Sequence, residues 1–260
     1  MRRAAAALLL VAATAASAQD SLVVGVSVGA MHRQLRERAA GATLLTERGT
    51  VATAGVQATR TWAGGAAWQG EARIAGGRLD YDGQTQGGAP LAARSGHLDW
   101  TADVRWRPLA PAAWGEAWLT AGTLRNRRDI SSTPQASGLR ETSHSLLLGM
   151  RWGSPMLAGP AGWQLQGLAD VRGSVWHRLD VDFHGLLDTA RLRGARQVDA
   201  GLRLVGTRVY SPWSWELSWR RLAQPQSEVT PLYRNGAVFG TVRQPALRVE
   251  DLGFALSRRF

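Results

Sequence analysis

The chain has 260 residues, with 31 basic against 20 acidic side chains, 30 glycines, 12 tryptophans and no cysteine. The missing cysteines exclude a disulfide framework. The net charge of +11 would suggest a nucleic-acid partner in a cytosolic protein, but the N-terminus argues for export. Met1-Arg2-Arg3 is a basic start, Ala4 to Ala13 an apolar run too short to span a membrane, and Ala16-Ser17-Ala18 a small-residue cleavage pattern. Residues 1–18 therefore read as a signal peptide, leaving 19–260 as one domain. Every basic residue is arginine, and without Arg2 and Arg3 there are 29 of them against the 20 acids, about +9. Phosphate-bearing lipid headgroups become the expected polyanion, and no nucleic acid is expected.

The exported part alternates with period two. Leu22, Val24, Val26, Val28 and Ala30 share one face; Ala54, Val56 and Ala58 share the next, and Trp68, Ala72 and Ile74 oppose Gln69, Glu71 and Arg73. The clearest stretch is 95–107. There Leu98, Trp100, Ala102, Val104 and Trp106 form one face, while His97, Asp99, Thr101, Asp103, Arg105 and Arg107 form the other. Further strands are expected near 113–126, 140–153, 162–180, 194–210, 212–222 and 244–260, ten in all. A polar face carrying both signs of charge, with tryptophans at the ends of the apolar face, fits an all-β transmembrane antiparallel barrel with an ion-paired lumen. Short Gly- or Pro-rich turns at 63–66, 108–112, 153–162 and 211–212 read as periplasmic. Longer loops near 37–50, 80–94, 127–139, 181–193 and 223–243 read as extracellular. Leu252, Phe254, Leu256 and Phe260 share a parity, similar to the C-terminal signal read by outer-membrane assembly machinery. The expected location is the outer membrane of a Gram-negative cell.

Two acidic stretches fall at the upper strand ends: Leu79-Asp80-Tyr81-Asp82 on strand three and Leu179-Asp180-Val181-Asp182-Phe183-His184 on strand seven. Continuing the polar parity of Gln164, Gln166, Asp170, Arg172 and Ser174 turns Asp180, Asp182 and His184 inward. Asp80 and Asp82 have the opposite parity to Glu71 and Arg73. They turn inward only if Gly76-Gly77 forms a one-residue bulge. Facing carboxylates with a histidine beside one of them could activate a water for attack on an amide. Against this, Asp-rich segments are also good turn formers. Ser95-Gly96-His97 offers a weaker Ser–His pairing, side by side on one strand. The acids could also take a divalent cation, although no motif of metal-ligand spacing is present.

The layout and the Asp-x-Asp and Asp-x-Asp-x-His pairs resemble the omptin family of ten-stranded outer-membrane endoproteases. The resemblance implies a catalytic set of Asp80, Asp82, Asp182 and His184, with Asp182 and His184 activating water. It implies that Glu37 and Asp180 bind the basic side chain of a peptide or protein substrate. It also implies a requirement for lipopolysaccharide, whose phosphates Arg125, Arg127 and Arg128 could meet, and no other cofactor. The alternative is a non-catalytic small barrel whose lumen ion pairs are structural and whose loops bind lipid or a partner.

Overall fold

The structure, a computed structural model, describes residues 21–84, 88–134 and 136–260. The expected signal peptide lies outside them. Ten long strands form the wall: β1 (Ser21–Ala39), β2 (Ala42–Thr61), β3 (Ala67–Gln84), β4 (Pro90–Arg107), β5 (Glu116–Ile130), β6 (Leu139–Gly153), β7 (Trp163–Asp182), β8 (Val198–Arg208), β9 (Trp213–Gln224) and β10 (Ala246–Arg259). Each pairs antiparallel with its sequence neighbours, and β10 pairs with β1 from Gly25↔Arg259 to Arg38↔Ala246, which closes the ring. Closure leaves the wall without a free edge, the condition for a sheet to cross a bilayer.

The outward face carries an apolar band. Val26, Val56, Ile74, Leu98, Val104, Leu119, Leu148, Val171, Leu202, Leu217 and Phe254 are all exposed on it, with Trp68, Trp106, Trp152 and Trp213 toward the periplasmic end. On β1 the band runs over residues 22–30, and on β5 over 119–123. This is the lipid-facing surface of an outer-membrane barrel. The lumen at the same height is filled by ion pairs. Arg33 bridges Asp99 (2.5 Å) and Asp251 (2.8 Å). Arg105 meets Glu71 (2.7 Å) and Asp103, Arg151 meets Asp170 (2.8 Å), and Arg220 meets Asp199 (2.8 Å). Gly122 makes room for this packing, since a Cβ there would stand 2.0 Å from an Asp103 carboxylate oxygen.

Two of the expected loops are strand. β1 and β2 run to a two-residue turn at Ala40-Gly41, both with positive φ, so most of 37–50 is paired sheet. β3 and β4 likewise stay paired out to Gln84↔Pro90. The strands outlast the bilayer and form an extracellular wall. Above β7 a short strand, Ala190–Arg193, adds to its outer end, and a hairpin, Thr230–Arg234 with Ala237–Val242, folds over it. Leu232 of that hairpin packs with Leu179, Val181, Ala190 and Leu192, a small apolar core on the inner side of the barrel mouth.

Candidate functional site

Above the bilayer much of the polarity of the two faces reverses. Water is now outside, so apolar side chains such as Leu79, Tyr81 and Leu179 turn in and many charged ones turn out, while Glu37, Glu47, Glu141 and Arg128 stay inside as a paired group. On β3 the pairing with β4 runs from Ala67↔Arg107 to Gln84↔Pro90 without a slip, so the bulge expected at Gly76-Gly77 is absent. The inward parity of Glu71 and Arg73 continues into Leu79 and Tyr81, both buried. Asp80 and Asp82 therefore face outward; the Asp80 side chain is 83 % exposed and stands 4.0 Å from Arg94.

On β7 the opposite correction applies. Its ladder with β6 slips between Leu146↔Trp176 and Leu147↔Ser174. Val175 and Trp176 both face outward, 63 % and 47 % exposed. This bulge changes the phase, so His177, Leu179 and Val181 turn inward while Arg178, Asp180 and Asp182 turn outward. Asp180 is held by Arg178 (2.5 Å) and Arg191 (3.2 Å). Partial burial would raise its carboxyl, but the two guanidinium groups win and hold it below the usual range.

Asp182 accepts a hydrogen bond from the backbone N–H of His184 at 2.9 Å, and His184 (φ 54°) with Gly185 (φ 82°) makes the tight turn that leaves the strand. Asp-x-His here is a local turn with its side-chain cap. The His184 side chain is exposed, and the carboxylate of Asp182 is engaged with its backbone. β3 and β7 lie four strands apart in the ring of ten, ~19 Å along the wall at about 4.8 Å per step. Outward side chains on these two walls point away from each other, so the expected facing carboxylates are not brought together.

Glu37 does turn inward, but its partner is internal. Its Oε1 accepts from Arg128 Nη1 at 2.5 Å, and the same guanidinium serves Glu47 (2.6 Å) and Glu141 (2.8 Å). Arg128 is thus a lumen residue, whereas Arg125 and Arg127, grouped with it on sequence, face outward. Glu47 is wholly buried and also receives Ser95 Oγ (2.8 Å) and His97 Nε2 (2.6 Å). Ser95 Oγ is 3.2 Å from that same Nε2. Serine and carboxylate crowd one ring nitrogen and leave Nδ1 without a partner, the reverse of a relay in which the acid holds Nδ1. Three carboxylates share one guanidinium. Burial pushes Glu37 up to about 6 against the pull of Arg128, with Glu141 and Glu47 adding to the rise. Arg128 and Glu141 are cross-strand partners on β5 and β6, but Glu37 and Glu47 come from β1 and β2 and reach Arg128 only through the lumen, so sequence reasoning missed the four as a group.

The second feature is on the outer wall. Register places Arg125, His144, Arg178 and Arg193 side by side across β5, β6, β7 and the short strand, with Trp100 beside Arg125 on β4 and Leu146 and Trp176 immediately below. Neighbours in such a row stand about 5 Å apart. The next rows add Arg127, Arg140 and Arg191 against Asp129, Asp180 and Asp182, so this wall holds six arginines and three aspartates, +3. Asp129 is shared by Arg127 (2.8 Å) and Arg140 (2.6 Å). Arg125 and Arg193 have no carboxylate partner among the described residues.

The sequence matches no protein-family model and no curated protein. Among solved structures the chain is similar to the outer membrane protease OmpT from Escherichia coli, with a TM-score of 0.56 and 13 % identity over 95 % of this chain and 99 % of that one. It also aligns with the β domain of the Bordetella autotransporter BrkA (TM-score 0.44, 13 % identity, 90 % and 98 % covered). Neisserial surface protein A aligns at a TM-score of 0.38 and 9 % identity, over 93 % and 99 %. At these identities the likeness to OmpT is one of fold: this chain is a ten-stranded outer-membrane β-barrel.

Proposed function

We propose that the protein is a non-catalytic, closed outer-membrane barrel that acts by binding, holding lipopolysaccharide or other phosphate-bearing lipid at its outer wall. The observation that carries this is the outward row Arg125–His144–Arg178–Arg193, set on the upper edge of the apolar band. Apolar contacts below and guanidinium donors above match a molecule with acyl chains below and phosphates above. Arg127, Arg140 and Arg191 extend the contact; Arg128, buried in the lumen, takes no part. The filled lumen supports a role other than general diffusion. Phe260, exposed and in phase with Leu252, Phe254 and Leu256, suits recognition by the assembly machinery.

The test compares barrels refolded with bisphosphorylated and with dephosphorylated lipid A. Binding to the phosphorylated form should weaken at least tenfold in the combined variant Arg125→Gln, Arg178→Gln, Arg193→Gln, and should fall with rising salt. Equal affinity for the two lipids would refute the assignment.

One observation favours a second reading, an omptin-like endopeptidase acting on basic peptides. Asp80, Asp82, Asp182 and His184 do stand at the solvent-facing outer ends of β3 and β7. For that chemistry the two walls would have to turn these side chains toward a common water. A quenched peptide containing Arg-Arg, offered to the folded barrel and to His184→Ala, separates the readings. The binding reading expects no cleavage by either, and cleavage by the parent alone would establish the protease.

A further inference from the structure

The outer half of the lumen holds a chamber of about 60 Å³, space for about four to six waters at 10–15 Å³ each. Leu35, Leu124, Leu179, Leu222, Leu247 and Val249 form one part of its lining. Glu37, Glu141, His97, Asn126 and Gln224 are among the polar remainder. Two observations independently describe what is missing from it. The first is charge. Glu37, Glu47 and Glu141 share the single guanidinium of Arg128, three carboxyl groups to one guanidinium, with His97 beside Glu47 and only Glu141 partly exposed. The remaining arginines of the lining, Arg33 and Arg220, are engaged by Asp99, Asp199 and Asp251.

The second is hydrogen bonding. His97 is 5 % exposed, its Nε2 lies 2.6 Å from Glu47, and its Nδ1 is buried with no partner among the described residues; in the tautomer that donates Nε2–H to Glu47, Nδ1 is an acceptor. Gln224 directs its amide nitrogen to Gln244 (2.7 Å) and His177 (3.2 Å), and its carbonyl oxygen accepts no hydrogen bond from the described residues. Surplus carboxylate and surplus acceptors call for a cationic donor. Among the described residues no cluster of His, Asp and Glu is arranged to hold a metal ion.

We infer that this chamber is a binding site for a small organic cation, a free amine or guanidine of a few heavy atoms. The ammonium or guanidinium N–H groups would reach Glu37, Glu141 and His97 Nδ1, and its alkyl part the leucine wall. The hairpin 230–242 is the cover: Leu232 packs on Leu179, itself part of the lining, and Asp188 caps the hairpin turn through the N–H of Asn235 (3.2 Å) and Gly236 (2.9 Å). A polypeptide has no room there, so the occupant is a free solute.

The test is equilibrium dialysis of the full-length folded barrel in lipid nanodiscs against labelled methylammonium and methylguanidinium, with sodium as competitor. The expected result is saturable one-site uptake near pH 7.5. It should weaken about tenfold near pH 5, weaken tenfold or more in Glu37→Gln and in Glu141→Gln, and stay unchanged in the outward control Arg94→Gln. The wild-type pH series stands even where a glutamine variant folds poorly. Absence of saturable uptake at millimolar cation, equal uptake by parent and both glutamine variants, or full displacement by equimolar sodium would each overturn the assignment, leaving a chamber of water and simple ions.

Discussion

The membrane half and the outer half of this barrel follow opposite rules. In the bilayer, lipid lies outside, so Val26, Leu98 and Leu217 face out, while Arg33, Arg105 and Arg220 face in and are paired. Past the bilayer, water lies outside. There Leu79, Tyr81, Leu179 and Val181 turn in, while Asp80, Asp82, Arg178 and Asp180 turn out. The same strand changes its inside from polar to apolar at the height where its surroundings change. On β7 the polar parity carried upward from the membrane half misplaces Asp180 and Asp182, because the bulge at Val175-Trp176 intervenes, whereas on β3 the unbroken parity itself puts Asp80 and Asp82 outside.

The contrast predicts a ranking of substitutions. Removing Arg128 should cost most, about 3–5 kcal/mol in unfolding free energy, because Glu37, Glu47 and Glu141 would be left buried without a counter-charge. Denaturant titration of Arg128→Met in lipid vesicles measures it, and a loss below about 1 kcal/mol would contradict the buried hub. Inserting one alanine between Trp176 and His177 should come next. With the bulge at Val175-Trp176 kept, it inverts the phase above it, drives Arg178 and Asp180 into the apolar core around Leu192 and Leu232, and should disorder the outer half while the membrane half still folds; hydrogen exchange resolves the two.

Glu37 gives the third effect, and its sign is fixed by the direction of the shift. Its carboxyl is raised in the folded barrel from the ordinary 4.5 to about 6. Its contribution to stability is therefore fully present below about pH 4.5 and is lost as the pH rises through 6. That is worth about 2 kcal/mol at 1.36 kcal/mol per unit. Glu37→Gln should flatten this window and leave the barrel more stable than the parent near pH 8; a variant less stable at every pH would contradict it. Smallest is Asp182→Asn, about 0.5–1 kcal/mol or less, since the side chain caps one turn N–H in solvent.

Much of the architecture was legible in the sequence. The ten strands, their order and the faces of β4, β8, β9 and β10 follow from strict alternation, because lipid on one side and ion pairs on the other leave no ambiguity within the bilayer. The phase change on β7 was not legible by parity. Val175 and Trp176 are two adjacent apolar residues in a lipid-facing stretch, and nothing in their chemistry says which one the ladder skips. A signal was nevertheless present. Leu179 and Val181 alternate with Asp180 and Asp182 beyond the expected membrane height, where apolar side chains seek the interior. The pairs Asp-x-Asp and Asp-x-His were read for chemistry, and the structure assigns Asp182-x-His184 to a strand-ending turn. The hub around Arg128 joins four strands: Arg128 and Glu141 oppose each other across β5 and β6, whereas Glu37 and Glu47 come from β1 and β2, and the spacing along the chain does not show that these two hairpins meet.

The most direct test of the reversal uses the absence of native cysteine. Single cysteines at 79, 80, 179 and 180 in the folded, lipid-embedded barrel are challenged with a membrane-impermeant thiol reagent. The account predicts fast labelling at 80 and 180 and protection at 79 and 179. Protection at 80 and 180 with labelling at 79 and 179 would place the acids inside the barrel mouth and contradict it.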